Sequence, residues 1–141
     1  MMRAVLLVSL LLGSALGRDL FARSKQKYRV KGRLVCGTEP IANAIVKLVD
    51  KDIGPDEYLD EGRSDDDGYF ELSGSAREYG DIDTVLKVYH RCLAESDLCK
   101  RRAWLGLPDE FIDNETGFDA GEINLMMEYG SSEEIDCFDS V

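Results

Sequence analysis

The sequence predicts an all-β sandwich of two mostly antiparallel sheets, with about seven or eight strands and at most one short helix. Three observations support this fold class: short segments of alternating polar and apolar residues, turn-forming residues between those segments, and almost no helical periodicity. The chain has 141 residues, which is enough for one domain with one hydrophobic core.

The first predicted strand, residues 28–36, alternates with a period of two, as a strand with one buried face does. Its inward side chains are Tyr28, Val30, Leu34 and Cys36. The outward side chains on and beside this strand form what we call the basic row, which consists of Lys27, Arg29, Lys31 and Arg33. A turn over residues 37–40 is expected to follow.

The remaining strands are predicted from the same alternation and from the turns that bound it. They cover residues 44–49, 57–64, 69–72, 84–92, 99–107 and 122–129. Asp67-Gly68 favours a tight hairpin before Tyr69, because both residues tolerate a positive φ. Residues 75–81 are predicted to form a helical turn, and the chain beyond Gly130 to be a structureless acidic tail.

Residues 1–17 have the pattern of a secretory signal peptide. Arg3 supplies a positive start, a short apolar run follows, and Ala15-Leu16-Gly17 places small residues at a cleavage position. The run is shorter than the roughly 20 apolar residues that a membrane-spanning helix needs. We therefore expect a secreted, extracellular protein without a transmembrane segment, whose mature chain begins at Arg18.

The charge of the chain is strongly acidic and unevenly distributed. The net charge is −11, and it becomes −12 when the leader, which contains Arg3, is removed from the −11 chain. Such a charge repels nucleic acid, so nucleic-acid binding is excluded. The mature chain is divided into a basic segment at residues 18–27, a β-sandwich domain at residues 28–129 and an acidic tail at residues 130–141.

Four cysteines follow the leader, and outside the cell they are expected to form two disulfides. Three pairings are possible. The most local pairing joins Cys92 to Cys99 across a hairpin and Cys36 to Cys137, which would tether the acidic tail. A zinc site is the alternative, but no CxxC spacing supports it.

Catalytic and metal-binding readings of the remaining residues are less well supported than structural ones. His90, the single histidine, could pair with Cys92 as a nucleophile and base, but a bridged sulfur cannot attack. The carboxylates of Asp65-Asp66-Asp67-Gly68 do not match the spacing of a calcium-binding EF-hand loop, so a plain hairpin turn is preferred. We expect no catalytic residue, no metal site and no cofactor.

The order of these segments resembles the transthyretin-like family of secreted nematode proteins. The matching segments include Val30–Cys36, Val46–Asp50, Asp66–Gly74, Leu86–Cys92, Cys99–Arg101 and Gly121–Leu125. The resemblance implies a sandwich of two four-stranded sheets, an extracellular location and a non-enzymatic role. Hydroxyisourate hydrolases share this fold, but they use several histidines and a C-terminal Tyr-Arg-Gly-Ser, whereas this chain ends in Phe138-Asp139-Ser140-Val141.

Two groups of residues are candidates for ligand or partner binding. The first is the basic row, in which Lys31 lies nine residues before Pro40, as does the lysine that lines the hormone channel of transthyretin. The alternative is that these cations pair with outward Glu71, Glu122 and Glu128. The second group is Tyr89 and Trp104, predicted on the outward faces of neighbouring strands beside Lys87, Arg91 and Arg102. The alternative is that a loop or the 75–81 segment covers them.

Asn114-Glu115-Thr116 is an N-glycosylation sequon in a predicted loop, so we expect a glycoprotein. A Cys36–Cys137 bridge would hold the tail near the first strand and discourage edge pairing, which favours a monomer or dimer over a tetramer. The function predicted is an extracellular binding module, an adaptor for a cell-surface or protein partner. The alternative is a carrier of a small apolar or anionic ligand, anionic phospholipid included.

Overall fold

Two β-sheets pack face to face in this chain, whose computed structural model describes residues 23–52, 54–94, 99–127 and 134–136. The strands are β1 (Ser24–Cys36), β2 (Glu39–Pro40), β3 (Ile45–Asp50), β4 (Glu57–Arg63), β5 (Tyr69–Glu78), β6 (Thr84–His90), β7 (Lys100–Gly106), β8 (Phe118–Asn124) and β9 (Glu134–Asp136). Within those residues the helical structure is limited to one 3₁₀ turn, Asp109–Phe111. The predicted all-β sandwich is therefore confirmed.

The four-stranded sheet is built around β1. Strand β5 pairs antiparallel with β1 along ten positions, from Ser24 opposite Glu78 to Arg33 opposite Tyr69. Strand β8 pairs with the other edge of β1 and runs parallel to it. Strand β2 adds a short antiparallel pairing at Val35 and Cys36.

The five-stranded sheet has the order β4-β3-β6-β7-β9. All of its neighbouring strands are antiparallel. The two sheets enclose a single core, and its side chains come from the inward positions that the period-two pattern predicts. They include Tyr28, Val30, Leu34, Val46, Leu48, Phe70, Leu72, Leu86, Val88, Ala103 and Ile123. No helix in the described part of the chain is long and apolar enough to cross a membrane.

Strand β1 begins at Ser24, four residues before the predicted strand. Gln26 explains the extension, because its side chain is buried and fully engaged. Its Nε2 donates to the carbonyl of Gly80 at 2.6 Å, and its Oε1 accepts the N–H of Ile82 at 3.0 Å. Part of the basic leading segment therefore belongs to the sheet.

The prediction of a helical turn over residues 75–81 is wrong, because β5 continues as a strand to Glu78. Backbone pairing with β1 extends along that whole length, and Ala76 packs into the core. The turn at Asp65–Gly68 forms as expected, with Gly68 at φ 86°. It does not close a hairpin, however, because β4 and β5 on either side of it belong to different sheets.

The last two predicted segments also differ from the structure. The strand expected over residues 122–129 is β8, which lies earlier and ends at Asn124. Asn124 ends it because its Oδ1 accepts the N–H groups of Gly37 and Met126 in a turn, which leaves Met127 exposed. The tail is not structureless, since β9 pairs antiparallel with β7.

The structure pairs Cys36 with Cys92, so the predicted Cys92–Cys99 and Cys36–Cys137 pairing is wrong. Cys36 ends β1 and Cys92 follows β6, so the bridge joins the two sheets across the core. Both side chains lie on inward faces. Cys92 is therefore directed towards Cys36 in the opposite sheet and not towards Cys99, its predicted partner. Cys99 is also disulfide-bonded, and Cys137 lies outside the described residues.

The corrected disulfide removes one reason for predicting a monomer or dimer. That prediction relied on a Cys36–Cys137 bridge that would hold the tail beside β1. Cys36 is bonded to Cys92 instead, and the described part of the tail pairs with β7 in the other sheet. The oligomeric state itself stays a prediction.

We predict that replacing Cys36 and Cys92 together by serine lowers the free energy of unfolding by about 4 kcal/mol. The reason is that the bridge closes a loop with a sequence separation of 56 residues, and the chain-entropy relation assigns roughly that value to such a loop. Urea denaturation of both proteins measures the difference. Non-reducing peptide mapping should recover a Cys36–Cys92 peptide, and a Cys92–Cys99 peptide would contradict the assignment.

Candidate functional site

The outer face of the five-stranded sheet brings cations and aromatic rings together on its central strands. On one cross-strand row, Lys47 of β3 lies opposite Lys87 of β6, which lies opposite Trp104 of β7. On the next row, Tyr89 of β6 lies opposite Arg102 of β7. Residues two apart on a strand share a face, so these side chains project from the same side of the sheet.

Lys47 and Lys87 are like charges placed directly opposite each other, an arrangement that is unfavourable unless it is compensated. Both are largely removed from solvent, with side-chain exposures of 12% and 7%. The Nζ of Lys87 lies 2.8 Å from Oδ2 of Asp56, and the Nζ of Lys47 lies 3.4 Å from Oε1 of Glu61. Lys47 is therefore paired with Glu61 of β4, and Lys87 is paired with Asp56, the residue just before β4.

Aromatic rings provide the second compensation. The Nζ of Lys87 lies 4.4 Å from the centre of the Trp104 ring, and the Nζ of Lys47 lies 5.0 Å from the Tyr89 ring and 5.3 Å from the Tyr58 ring. Arg102 and Lys51 each lie within 5.5 Å of the Trp104 ring, at 5.3 and 5.4 Å. These separations are within the range of cation–π attraction. We call this surface the cation–aromatic face, and it consists of Lys47, Lys51, Tyr58, Lys87, Tyr89, Arg102 and Trp104.

Part of the cation–aromatic face is accessible. Tyr58 is 58% exposed, and Arg102 and Trp104 are partly exposed, whereas Tyr89 is buried. Residues 75–78, one of the predicted covers, belong to β5 in the opposite sheet. Tyr89 and Trp104 are thus brought together as expected, beside Lys87 and Arg102. Aromatic rings with preorganised cations can bind a group that is both anionic and flat or apolar.

The basic row lies on the outer face of the four-stranded sheet, where two of its four cations form ion pairs with carboxylates. The Nε of Arg29 lies 2.9 Å from Oε1 of Glu71, and Nη1 of Arg33 lies 3.8 Å from Oε2 of Glu122. The expected pairing with Glu71 and Glu122 is therefore confirmed, and Glu128 lies outside the described residues. Such exposed pairs contribute only about 0–1 kcal/mol each.

Lys31 is flanked by acidic residues on both neighbouring strands, with Glu71 opposite it on β5 and Asp119 beside it on β8. It lines an open depression of about 650 Å³ whose other side chains include Arg33, Asp65 and Glu122. The depression has mixed charge. An anionic ligand at Lys31 would approach these carboxylates as well, which opposes binding.

Asn114 is exposed in the loop before β8 and lies beside the basic row. Its Oδ1 accepts the N–H groups of Thr116 and Gly117, so the sequon forms an ordered turn. The neighbouring Asp113 exchanges hydrogen bonds with the backbone of Lys27, and Nη1 of Arg29 donates to the carbonyl of Glu115 at 3.4 Å. A glycan on Asn114 would therefore project next to Lys27 and Arg29.

His90 is buried and has a structural role. Its Nδ1 accepts the N–H of Cys92 at 3.1 Å, and the sulfur of Cys92 is bonded to Cys36. Burial, and to a lesser degree the charge of Arg101, lowers the pKa of His90 to about 4. A neutral ring beside a bridged sulfur offers no nucleophile.

Comparison with known proteins identifies the family of this chain. The family model TTR-52, described as the transthyretin-like family, matches residues 31–108. The chain belongs to the transthyretin-like family. Transthyretin-like protein 33 of Caenorhabditis elegans is 38% identical, and the match covers 97% of this chain and 98% of that protein. Transthyretin-like protein 46 of the same organism is 41% identical over 92% of this chain and 73% of its own length.

Transthyretin-like protein 2 of Caenorhabditis elegans is a further relative, 31% identical over 92% of this chain and 94% of its own length. Among solved structures, a 9R-lipoxygenase from Cyanothece is similar over 70% of this chain and 16% of its own length. Its TM-score of 0.44 at 21% identity is too low to carry an argument. The family assignment rests on the sequence matches.

Sequence reasoning identified Tyr89 and Trp104 but missed Lys47, Lys51 and Tyr58 as part of the same face. The outward position of Lys47 was readable from the alternation in β3. What the sequence did not show is that β3 pairs with β6, which places Lys47 opposite Lys87. Without knowledge of that pairing, the sequence indicates only that Lys47 is a surface lysine.

We predict that acidification below pH 6.5 destabilises the protein through His90. Its folded pKa of about 4 lies below the ordinary value of 6.5, so the unfolded chain binds one more proton between these values. The stability associated with neutral His90 is complete above pH 6.5 and is lost progressively towards pH 4, by up to about 3 kcal/mol. Urea denaturation at several pH values, on the wild type and on His90→Gln, measures this loss. Equal slopes for the two proteins would contradict the prediction.

Proposed function

We propose that this protein is a secreted, non-enzymatic binding module that recognises an anionic cell-surface or protein partner through the cation–aromatic face. The observation that carries the proposal is the pair of largely desolvated lysines, Lys47 and Lys87, set opposite each other among three aromatic rings. Secretion rests on the leader pattern at residues 1–17, and the adaptor role agrees with the secreted, non-enzymatic character that the resemblance implies.

The composition of the face supports a protein or cell-surface partner. Tryptophan, tyrosine and arginine are the residues most enriched among those that dominate binding energies at interfaces. Here Trp104, Tyr58 and Arg102 occur together on a rigid sheet, so little side-chain freedom would be lost on binding. The cations favour carboxylate, sulfate or phosphate groups on the partner, and the otherwise acidic chain disfavours approach of such a surface elsewhere.

The basic row is less well suited to this role. Cations of both surfaces have carboxylate partners, but in the basic row only Arg33 also lies over an aromatic ring of the described residues, that of Tyr69. Lys31 lies between Glu71 and Asp119. A glycan at Asn114, which the sequon predicts, would also occupy space beside Lys27 and Arg29. The carrier alternative depends on Lys31, so the same observations disfavour it.

The proposal predicts that Tyr58→Ala and Arg102→Ala each weaken binding of the protein to dissociated Caenorhabditis elegans cells. Each loss should be about tenfold or more, as expected for central interface residues. Fluorescently labelled protein and flow cytometry measure the apparent Kd. Treatment of the cells with protease or glycosidase beforehand distinguishes a protein partner from a glycan. Raising the salt concentration should weaken binding of the wild type, because charge contributes to recognition.

Matched controls are available on the chain itself. Tyr79 is 71% exposed and lies over a cation, with the guanidinium carbon of Arg23 5.3 Å from its ring, but it is outside the proposed face. Tyr79→Ala should bind cells like the wild type. The double variant Arg29→Glu/Lys31→Glu tests the basic row. If that variant loses binding while Tyr58→Ala retains it, the cation–aromatic face is not the partner site.

A further inference from the structure

Four carboxylates gather at one end of the sandwich, at a place that no part of the proposed function uses. Asp50 ends β3, Asp52 follows it, Glu57 begins β4 and Glu78 ends β5. One carboxylate oxygen from each residue lies within 4.8 Å of those from the other three. The four groups come from both sheets, so the fold and not a local sequence pattern brings them together.

Asp50 is an unusual member of this cluster because it is only 1% exposed. Its Oδ1 accepts the N–H of Asp83 at 2.9 Å. Its Oδ2 is buried and has no hydrogen-bond donor among the described residues. A buried carboxylate oxygen without a donor is costly, so a cation, a proton or an ordered water at this position would stabilise it.

The surrounding charges make the need for a cation stronger. Asp50 lies directly opposite Glu57 in the antiparallel pairing of β3 and β4, and like charges in that position repel each other. None of the four carboxylates forms an ion pair with a described residue. Lys51, between two of them in sequence, places its ammonium group over the Trp104 ring at 5.4 Å.

Glu78 brings a carboxylate to this crowded site from the opposite sheet. One of its oxygens lies within 4.8 Å of an oxygen of Asp50, of Asp52 and of Glu57. A cation bound between the carboxylates would offset their mutual repulsion.

We infer that Asp50, Asp52, Glu57 and Glu78 form a binding site for a divalent cation of the hard, oxygen-preferring class, and specifically for Ca²⁺. Calcium takes six to eight oxygen ligands at about 2.3–2.6 Å, so oxygens around one ion lie at most about 5 Å apart, as these do. Magnesium requires a smaller octahedron and retains most of its water, which suits one or two carboxylates better than four. Neither sulfur nor imidazole is present among the four groups, which disfavours zinc.

The site differs from the aspartate cluster that the sequence singles out. At Asp65–Asp67 the Oδ1 of Asp65 already accepts the N–H groups of Asp67 and Tyr69, so its carboxylate is used by the turn. The expectation that the chain has no metal site considered that cluster and a zinc site at the cysteines, but not these four carboxylates. A cation held by the four carboxylates would link β3 and β4 of one sheet, through Asp50 and Glu57, to β5 of the other sheet, through Glu78.

Calcium titration of the full chain with its disulfides intact tests this site. Isothermal titration calorimetry at about 0.15 M salt should detect one site with a Kd of roughly 10⁻⁴–10⁻³ M, the range of extracellular calcium modules. The melting temperature should rise as the site fills, because the ion binds the folded state. Asp52→Asn and Glu78→Gln should each weaken binding about tenfold or more, and Mg²⁺ should bind much less tightly.

Asp66→Asn is the matched control, because it removes one exposed negative charge from the other aspartate cluster. It should leave the calcium affinity unchanged within about twofold. The absence of saturable calcium binding by the wild type would overturn the inference. So would an equal loss of affinity in Asp66→Asn and Glu78→Gln, which would indicate screening of the net charge. Because these carboxylates are not part of the cation–aromatic face, either result leaves the cell-binding proposal to its own test.

Discussion

The sandwich depends on the backbone pairing of β1, which is 13 residues long and is hydrogen-bonded along both edges. One edge holds β5 and the other holds β8, so both strands are positioned by reference to β1. Its inward side chains supply part of the core, and its last residue, Cys36, carries the covalent link to the other sheet. The cation–aromatic face lies on the outer side of that other sheet, and the inner side packs against this core.

The fold class followed from the sequence because alternation with a period of two is a local property, visible within a few residues. Connections between strands are not local. The Asp-Gly turn before Tyr69 was recognised correctly, yet the sequence did not reveal that the chain crosses to the other sheet there. The cysteine pairing failed for the same reason, since the shortest loop was preferred. The inward positions of Cys36 and Cys92, both readable from the alternation, favoured a bridge across the core.

The candidate site was predictable to a similar extent. Tyr89 and Trp104 lie on strands adjacent in sequence, so their proximity followed from a simple hairpin between β6 and β7. Lys47 joins them only through the pairing of β3 with β6, and Asp50 meets Glu78 only where the two sheets converge. The basic row was the most visible charge pattern in the sequence, but its neutralisation by Glu71 and Glu122 depends on which strands flank β1. Local patterns thus identified side chains and faces, and long-range pairing determined which groups each charge meets.

The parallel pairing of β1 with β8 has a consequence for how the protein is made. Val30 and Phe118 are partners across about 90 residues of sequence, and such distant contacts slow folding because a large loop must close before they form. During synthesis β1 emerges early, and β5 can pair with one of its edges long before β8 exists. The other edge of β1 stays open until nearly the whole chain has been translated, and open strand edges promote aggregation. The outward cations of the basic row, which are partly neutralised in the folded protein, would protect that edge in the nascent chain by charge repulsion.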